Sequence, residues 1–140
     1  MEVRDLFESL EYGPAPESPD IARQWLEERD GTLNHFIGGA WTPPDSGAYF
    51  PSNNPANGEM LAMVADGNET DVNRAVAAAA DALEGWVAMG GHGRARFLYA
   101  MARNIQKKSR LFTVLESLDN GKPVRESRDI DIPLVVRHFY

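Results

Sequence analysis

The segment from Thr70 to Leu118 constrains this chain most, because apolar residues recur there at helical spacing three times over. Val72, Val76, Ala79, Leu83 and Trp86 form one clean stripe on a helix over about 70–87, which Asn68 or Thr70 can cap. The run Ala77–Ala80 lets that face approach a neighbour closely. Phe97, Leu98, Met101, Ala102 and Ile105 share one side of a second helix over about 93–108. Leu111, Val114, Leu115 and Leu118 face inward on a third, which Ser109 can cap. Met89-Gly90-Gly91 breaks the first helix from the second.

The third helix ends in Leu115-Glu116-Ser117-Leu118-Asp119-Asn120-Gly121-Lys122-Pro123. The Gly121-Lys122 pair invites comparison with a phosphate-binding loop. That loop requires a glycine five residues before the Gly-Lys pair, a Ser or Thr after the lysine, and a preceding strand. Here position 116 is Glu, position 123 is Pro, and the preceding segment is helical. Asn120 and Gly121 instead suit the left-handed backbone that closes a helix, and Pro123 prevents its resumption. Lys122 then lies near the negative end of the helix. A further helix begins near Pro133 and carries Leu134, Val135 and Phe139. It reaches Tyr140 with apolar residues still in helical register and no C-cap, so continuation of the chain beyond Tyr140 is expected.

Upstream of the helices the period changes. His35–Trp41 reads as a strand with a Gly-Gly bend, Tyr49–Ser52 as a return strand that Pro51 places at a sheet edge, and Met60–Ala65 as a third strand. The Thr42–Gly47 and Asn54–Gly58 segments are turns. Residues 35–65 are therefore expected to form a small antiparallel meander, too small to be stable alone. Residues 3–10 fit a short amphipathic helix that stops before Gly13-Pro14-Ala15-Pro16. Ser18 can cap a second helix that starts at Pro19 and turns Ile21, Trp25 and Leu26 to one side. This first part, 1–31, is expected to be a separable acidic extension. Residues 1–30 hold nine acids and three bases, so they carry −6 of the net charge of −7.

That sign is the reverse of the one a nucleic-acid binder usually shows. No apolar run approaches the roughly 18 residues of a membrane span. The acidic, amphipathic N-terminus does not resemble a secretory signal, so a cytoplasmic protein is expected. There is no cysteine, hence no thiolate nucleophile, no Cys-type zinc site and no disulfide in these residues. His35, His92 and His138 show no metal-ligand spacing.

The remaining candidates each have a simpler structural account. Met89–Arg94 could hold an anion but reads as an inter-helix connector. Residues 94–110 carry six bases and no acids, and could be a binding face or a solvated one. Asn68-Glu69-Thr70 is a helix start rather than a glycosylation site. Asp129 with Asp131, and Asp66 with Glu69 and Asp71, are the nearest approaches to paired carboxylates, and neither group has an evident acid–base partner. Read from the residues alone, the chain holds no convincing active site, so no catalytic or cofactor-binding residue is expected in it.

The order of these pieces resembles the aldehyde dehydrogenase superfamily over about 34–140. Phe36-Ile37-Gly38-Gly39-Ala40-Trp41 is similar to its opening strand, and Asn54-Pro55-Ala56-Asn57-Gly58-Glu59 to a following turn. Val64-Ala65-Asp66-Gly67 and Asp71–Ala79 are similar to the next strand and first long helix, and Glu116–Pro123 to its helix-ending segment. Glu8–Ser18, with Trp25-Leu26, looks like the N-terminus of the branch numbered sixteen, whose members tend to be dimeric.

The resemblance implies an α/β fold: the N-terminal portion of an aldehyde dehydrogenase, with a small β-meander and helices that pack on a Rossmann-like cofactor domain. Residues 32–140 would be an incomplete part of that domain. It implies a whole protein that oxidises small aldehydes to carboxylic acids with NAD or NADP, using a cysteine and a glutamate that lie downstream. The expected partners are the remainder of the chain and a second copy. Ser52, Asn53 and Asp119 match positions near a structural monovalent-cation site, partly through backbone oxygens. Two alternatives stand beside this: a dehydrogenase-like scaffold without the chemistry, and a stand-alone interaction module.

Overall fold

In the computed structural model, which describes Asp5 and residues 17–140, the chain enters helix α1 (Asp20–Glu27) through Ser18 and Pro19. The Ser18 hydroxyl accepts the Asp20 N–H at 3.1 Å, and the Pro19 carbonyl accepts those of Ala22 and Arg23. Pro19, not Ser18, is the residue that flanks the helix. Apart from Asp5, the helix expected over 3–10 lies outside the described residues, as does the Gly13–Pro16 break.

Two sheets follow. Strand β1 (Thr32–Leu33) pairs in parallel with β5 (Met60–Ala65), and β4 (Tyr49–Asn53) pairs antiparallel on the other side of β5. The register sets Thr32 opposite Met63 and Tyr49 opposite Ala65. Strand β4 is an edge, where the missing N–H of Pro51 costs no ladder bond. β2 (His35–Ile37) and β3 (Ala40–Thr42) form a separate hairpin with Phe36 opposite Trp41. The strands are therefore not one meander. Gly38 and Gly39 have φ of 60° and 83°, the two-residue loop that suits a twisted hairpin, so what reads as a bent strand is a complete reversal. The parallel β1–β5 pair leaves no local trace in the sequence because its partners are distant.

Helix α2 (Glu69–Ala88) starts from a reciprocal cap. Asn68 Oδ1 accepts the Asp71 N–H at 3.1 Å, and Asp71 Oδ2 accepts the Asn68 N–H at 3.2 Å. Helix α3 (Gly90–Lys107) restarts at once, because Gly90 at φ 67° turns the chain without a connector. Helix α4 (Ser109–Asn120) has no side-chain cap, so Ser109 is its first residue and not its capping one. It stops where Gly121 takes φ 75°, as expected. Helix α5 (Val124–Glu126), a π-helical turn (Ser127–Asp131) and α6 (Ile132–His138) run on as one rod. Pro133 lies in the first turn of α6.

The core joins α1 to α4: Ala22 is fully buried and packs with Leu111 and Val114, flanked by Trp25, Leu115 and Leu118. Within the extension expected at 1–31, helix α1 thus packs against α4. The stripe of α2 is the reverse case. Val76 is 62% exposed and Leu83 58% exposed, with Val72 and Val87 also open. No helix among the described residues is long and apolar enough to cross a membrane.

Candidate functional site

Two of the motifs meet where the edge of the sheet touches the end of α4. Asn54 organises the β4–β5 turn: its carbonyl accepts the Gly58 N–H at 2.7 Å and its Oδ1 accepts the Ala56 N–H at 2.9 Å. This holds the Pro55 ring against Gly121, so close that a Cβ added at Gly121 would lie 2.8 Å from Pro55 Cγ. That contact, close in sequence to Asp119, aligns β4 with the last turn of α4. Ser52 then donates its hydroxyl to Asp119 Oδ1 at 2.5 Å. Asn53 follows at the irregularity in the β4–β5 register. The structure thus brings Ser52 and Asp119 together, with Asn53 adjacent along the strand.

Ser52 and Asp119 sit on the rim of a groove of about 350 Å³ whose walls include Trp25, Leu61, Phe112 and Leu115. A hydroxyl and a carboxylate are hard oxygen donors and suit an alkali or alkaline-earth ion in kind. They are fewer than such an ion requires, and one Asp119 oxygen already accepts the serine hydroxyl. Among the described residues, no group of three or more His, Asp or Glu is placed to hold a metal.

The phosphate-loop reading of Gly121-Lys122 has no support in the geometry. Lys122 Nζ lies 2.6 Å from Asp131 Oδ2, bracing the π-helical turn. The hydrogen bond to Asp131 holds the lysine ammonium above its ordinary 10.5. The other candidates are similarly occupied. Arg94 reaches the carbonyls of Trp86 and Val87 at the end of α2. Asp129 pairs with Arg128 at 2.8 and 3.0 Å, which lowers the carboxyl and raises the guanidinium. None of these pairings leaves an acid–base pair open for catalysis.

Asp71, which in the sequence stands out only as one of three acids near the start of α2, is a buried charge. It is 3% exposed and accepts the N–H groups of Asn68 and Asp45. Arg74 donates to its Oδ1, and His35 Nε2 lies 3.7 Å from Oδ2. The carboxylate therefore ties the loop after β3 to the start of α2. The Asn68-x-x-Asp71 spacing carried this signal, since a capping box sets an acid three residues past the cap. Burial pushes this carboxyl up, but the Asn68 and Asp45 N–H groups and Arg74 outweigh it and hold it below 3.8. Its stabilisation is full above the unfolded value near 3.8 and is lost as pH falls through the lower folded value. Asp71→Asn should accordingly give a flatter fall in melting temperature below about pH 4 than the unaltered chain. Parallel acid-melting curves measure this, and identical slopes would refute the Asp71 assignment.

The backbone matches solved aldehyde dehydrogenases closely. HpcC of Thermus thermophilus aligns with TM-score 0.80 and 35% identity, over 86% of this chain and 23% of that one. The NAD+ complex of aldehyde dehydrogenase from Bacillus cereus aligns with TM-score 0.78 and 30% identity, over 93% and 26%. The fold is therefore an N-terminal portion of a dehydrogenase fold of this type. Residues 41–140 also match the aldehyde dehydrogenase family as a whole. Acetaldehyde dehydrogenase 2 of Cupriavidus necator is 42% identical over 105 residues, 75% of this chain and 21% of the relative. An aldehyde dehydrogenase of Vibrio cholerae is 39% identical over 106 residues, 76% and 21%. The chain belongs to the aldehyde dehydrogenase family. It spans about a fifth of the length of these curated relatives.

Proposed function

We propose that this chain is the non-catalytic leading part of an NAD(P)-dependent aldehyde dehydrogenase that oxidises small aldehydes to carboxylic acids. The observation that carries this reading is the open stripe of α2. A family member that covers about a fifth of its relatives presents an apolar helix face with nothing packed on it. In the whole protein that face would be buried on the Rossmann-like cofactor domain, each Val or Leu contributing roughly 1.5–3 kcal/mol. NAD or NADP would act as hydride acceptor, held by residues outside this chain, as would be the cysteine nucleophile and the glutamate that activates water. The role of the described residues is to position α2, α3 and α4 as one face.

The reading extends to the acidic segment 1–31 as a mark of the branch numbered sixteen, to a homodimer, and to a cytoplasmic location. Ser52, Asn53 and Asp119 would form one side of a structural monovalent-cation site, completed by the remainder of the chain. The Ser52–Asp119 contact supports this assignment, because it sets two oxygens at one point on the groove rim. Asp119→Asn in the whole protein should abolish any rise in melting temperature with added potassium or sodium. An undiminished rise would remove Asp119 from that site.

The activity is tested on the whole protein, with aldehyde and either NAD+ or NADP+, by reduced-cofactor formation. Turnover that a thiol-blocking reagent abolishes supports the enzyme. A folded protein without turnover supports the scaffold that lost its chemistry.

A further inference from the structure

Asparagine followed by glycine occurs twice in the chain, at Asn57-Gly58 and at Asn120-Gly121. The pair is chemically labile, because a glycine without Cβ lets its backbone nitrogen reach the preceding side-chain amide. The two sites differ in what holds them. Asn120 ends α4, and its side chain is fixed at both ends: Oδ1 accepts the Lys122 N–H at 3.1 Å and Nδ2 donates to Glu116 Oε1 at 2.6 Å. The Gly121 N–H donates to the Ser117 carbonyl at 3.1 Å, and the Pro55 ring packs against that glycine. Asn57 lies exposed in the β4–β5 turn. Its Oδ1 accepts the Glu59 N–H at 3.0 Å, and its Nδ2 has no partner among the described residues. Nothing lies within 4 Å of a Cβ built at Gly58.

We propose that Asn57 is a site of spontaneous deamidation, and that the isoaspartate formed there loosens the corner where β4 meets α4. The Gly58 nitrogen loses its proton to hydroxide and attacks Cγ of Asn57. The new C–N bond displaces Nδ2, which takes a proton from water and leaves as ammonia, restoring the hydroxide and closing a succinimide. A water molecule then opens the ring at either carbonyl, giving aspartate or isoaspartate. Water is consumed and ammonia released, with no change of oxidation state. The Glu59 N–H favours the attack, since it stabilises the negative charge that develops on Oδ1. The Gly58 N–H must first leave the Asn54 carbonyl, 2.7 Å away, and an exposed turn opens more readily than the braced end of a helix. In isoaspartate the main chain runs through Cβ and Cγ, so the turn gains a methylene. That turn is closed by the Asn54 N–H on the Glu59 carbonyl at 2.8 Å, and it holds Pro55 against Gly121. Lengthening it removes the register that both contacts require.

The whole protein is aged in mildly alkaline and in mildly acidic buffer and then digested with trypsin. The two asparagines fall in separate peptides, 30–74 and 111–125, because Pro123 blocks cleavage after Lys122. Fragment masses should place amide-to-acid conversion at position 57, at least about tenfold ahead of position 120 in the alkaline sample. Both positions should stay intact in the acidic one. The aged alkaline protein should also melt at a lower temperature than the fresh protein. Asn57→Gln, whose longer side chain disfavours the ring, should show no conversion there and keep its melting temperature on ageing. Asn57→Asp retains the acceptor for Glu59 and an unlengthened main chain, so it should melt like the fresh protein. No conversion at 57, or conversion at 120 that equals or exceeds it, overturns the proposal, and this arm needs no variant to fold. Conversion at 57 with an unchanged melting temperature also overturns it, by showing that the turn does not hold the corner. None of these readings depends on turnover.

Discussion

Gly121→Ala should destabilise the segment by about 2–5 kcal/mol, more than Gly58→Ala does. Two costs combine. An alanine at φ 75° pays roughly 1–2 kcal/mol for the left-handed backbone. Its Cβ would also lie 2.8 Å from Pro55 Cγ, a contact no real structure keeps, and relieving such overpacking costs roughly 1–3 kcal/mol. Gly58 supplies the comparison. It has φ 77° but nothing within 4 Å of a built Cβ, so Gly58→Ala carries only the backbone cost. Urea unfolding of both variants separates the effects. Equal losses would show that the Pro55–Gly121 contact does not hold the β4–β5 turn to α4. The loss at Gly121 should also loosen the Ser52–Asp119 hydrogen bond, since the same contact sets their approach.

Val76→Glu combined with Leu83→Glu should act in opposite directions in the segment and in the whole protein. In residues 1–140 alone both side chains are largely exposed, so the charges replace apolar surface with solvated groups. The unaltered segment should self-associate or bind hydrophobic dyes, and the double variant should be more monomeric at unchanged helicity. In the whole protein the same carboxylates would be driven into a buried interface, at several kcal/mol each. Folding and turnover should then be lost. Sedimentation of the two segments and the soluble yield of the two whole proteins decide the matter. A monomeric, sharply melting unaltered segment would defeat the scaffold reading, as would a whole protein indifferent to the two glutamates.

The helical half of this fold is legible because its signals are local. The stripe from Val72 to Trp86 sets α2 to within a residue or two at each end, and Asn120-Gly121-Pro123 marks the stop of α4. The strands are less legible. Gly38-Gly39 permits either a bend or a reversal, and only the pairing of Phe36 with Trp41 distinguishes them. The β1–β5 pair and the burial of Ala22 against Leu111 join distant parts of the chain, which periodicity cannot report. The π-helical turn has no composition of its own; the buried Ser127 and the Lys122–Asp131 pair accompany it. Of the site, Asp71 is accessible through capping-box spacing. Ser52 and Asp119 carry no mutual signal in one sequence, and their partnership comes through family resemblance.

The junction of Ala22 with Leu111 and Val114 also fixes an order of events at the ribosome. At roughly 5–20 residues per second, on the order of ten seconds separate the synthesis of α1 from that of its core partners. Throughout the later part of that interval α2 is already made, and its apolar side has neither the helical body nor a sheet to rest on. That face stays open while α3 and α4 are translated, so the nascent chain is open to capture by chaperones throughout. Synonymous changes that slow translation across residues 90–110 should lengthen this period without altering the finished protein.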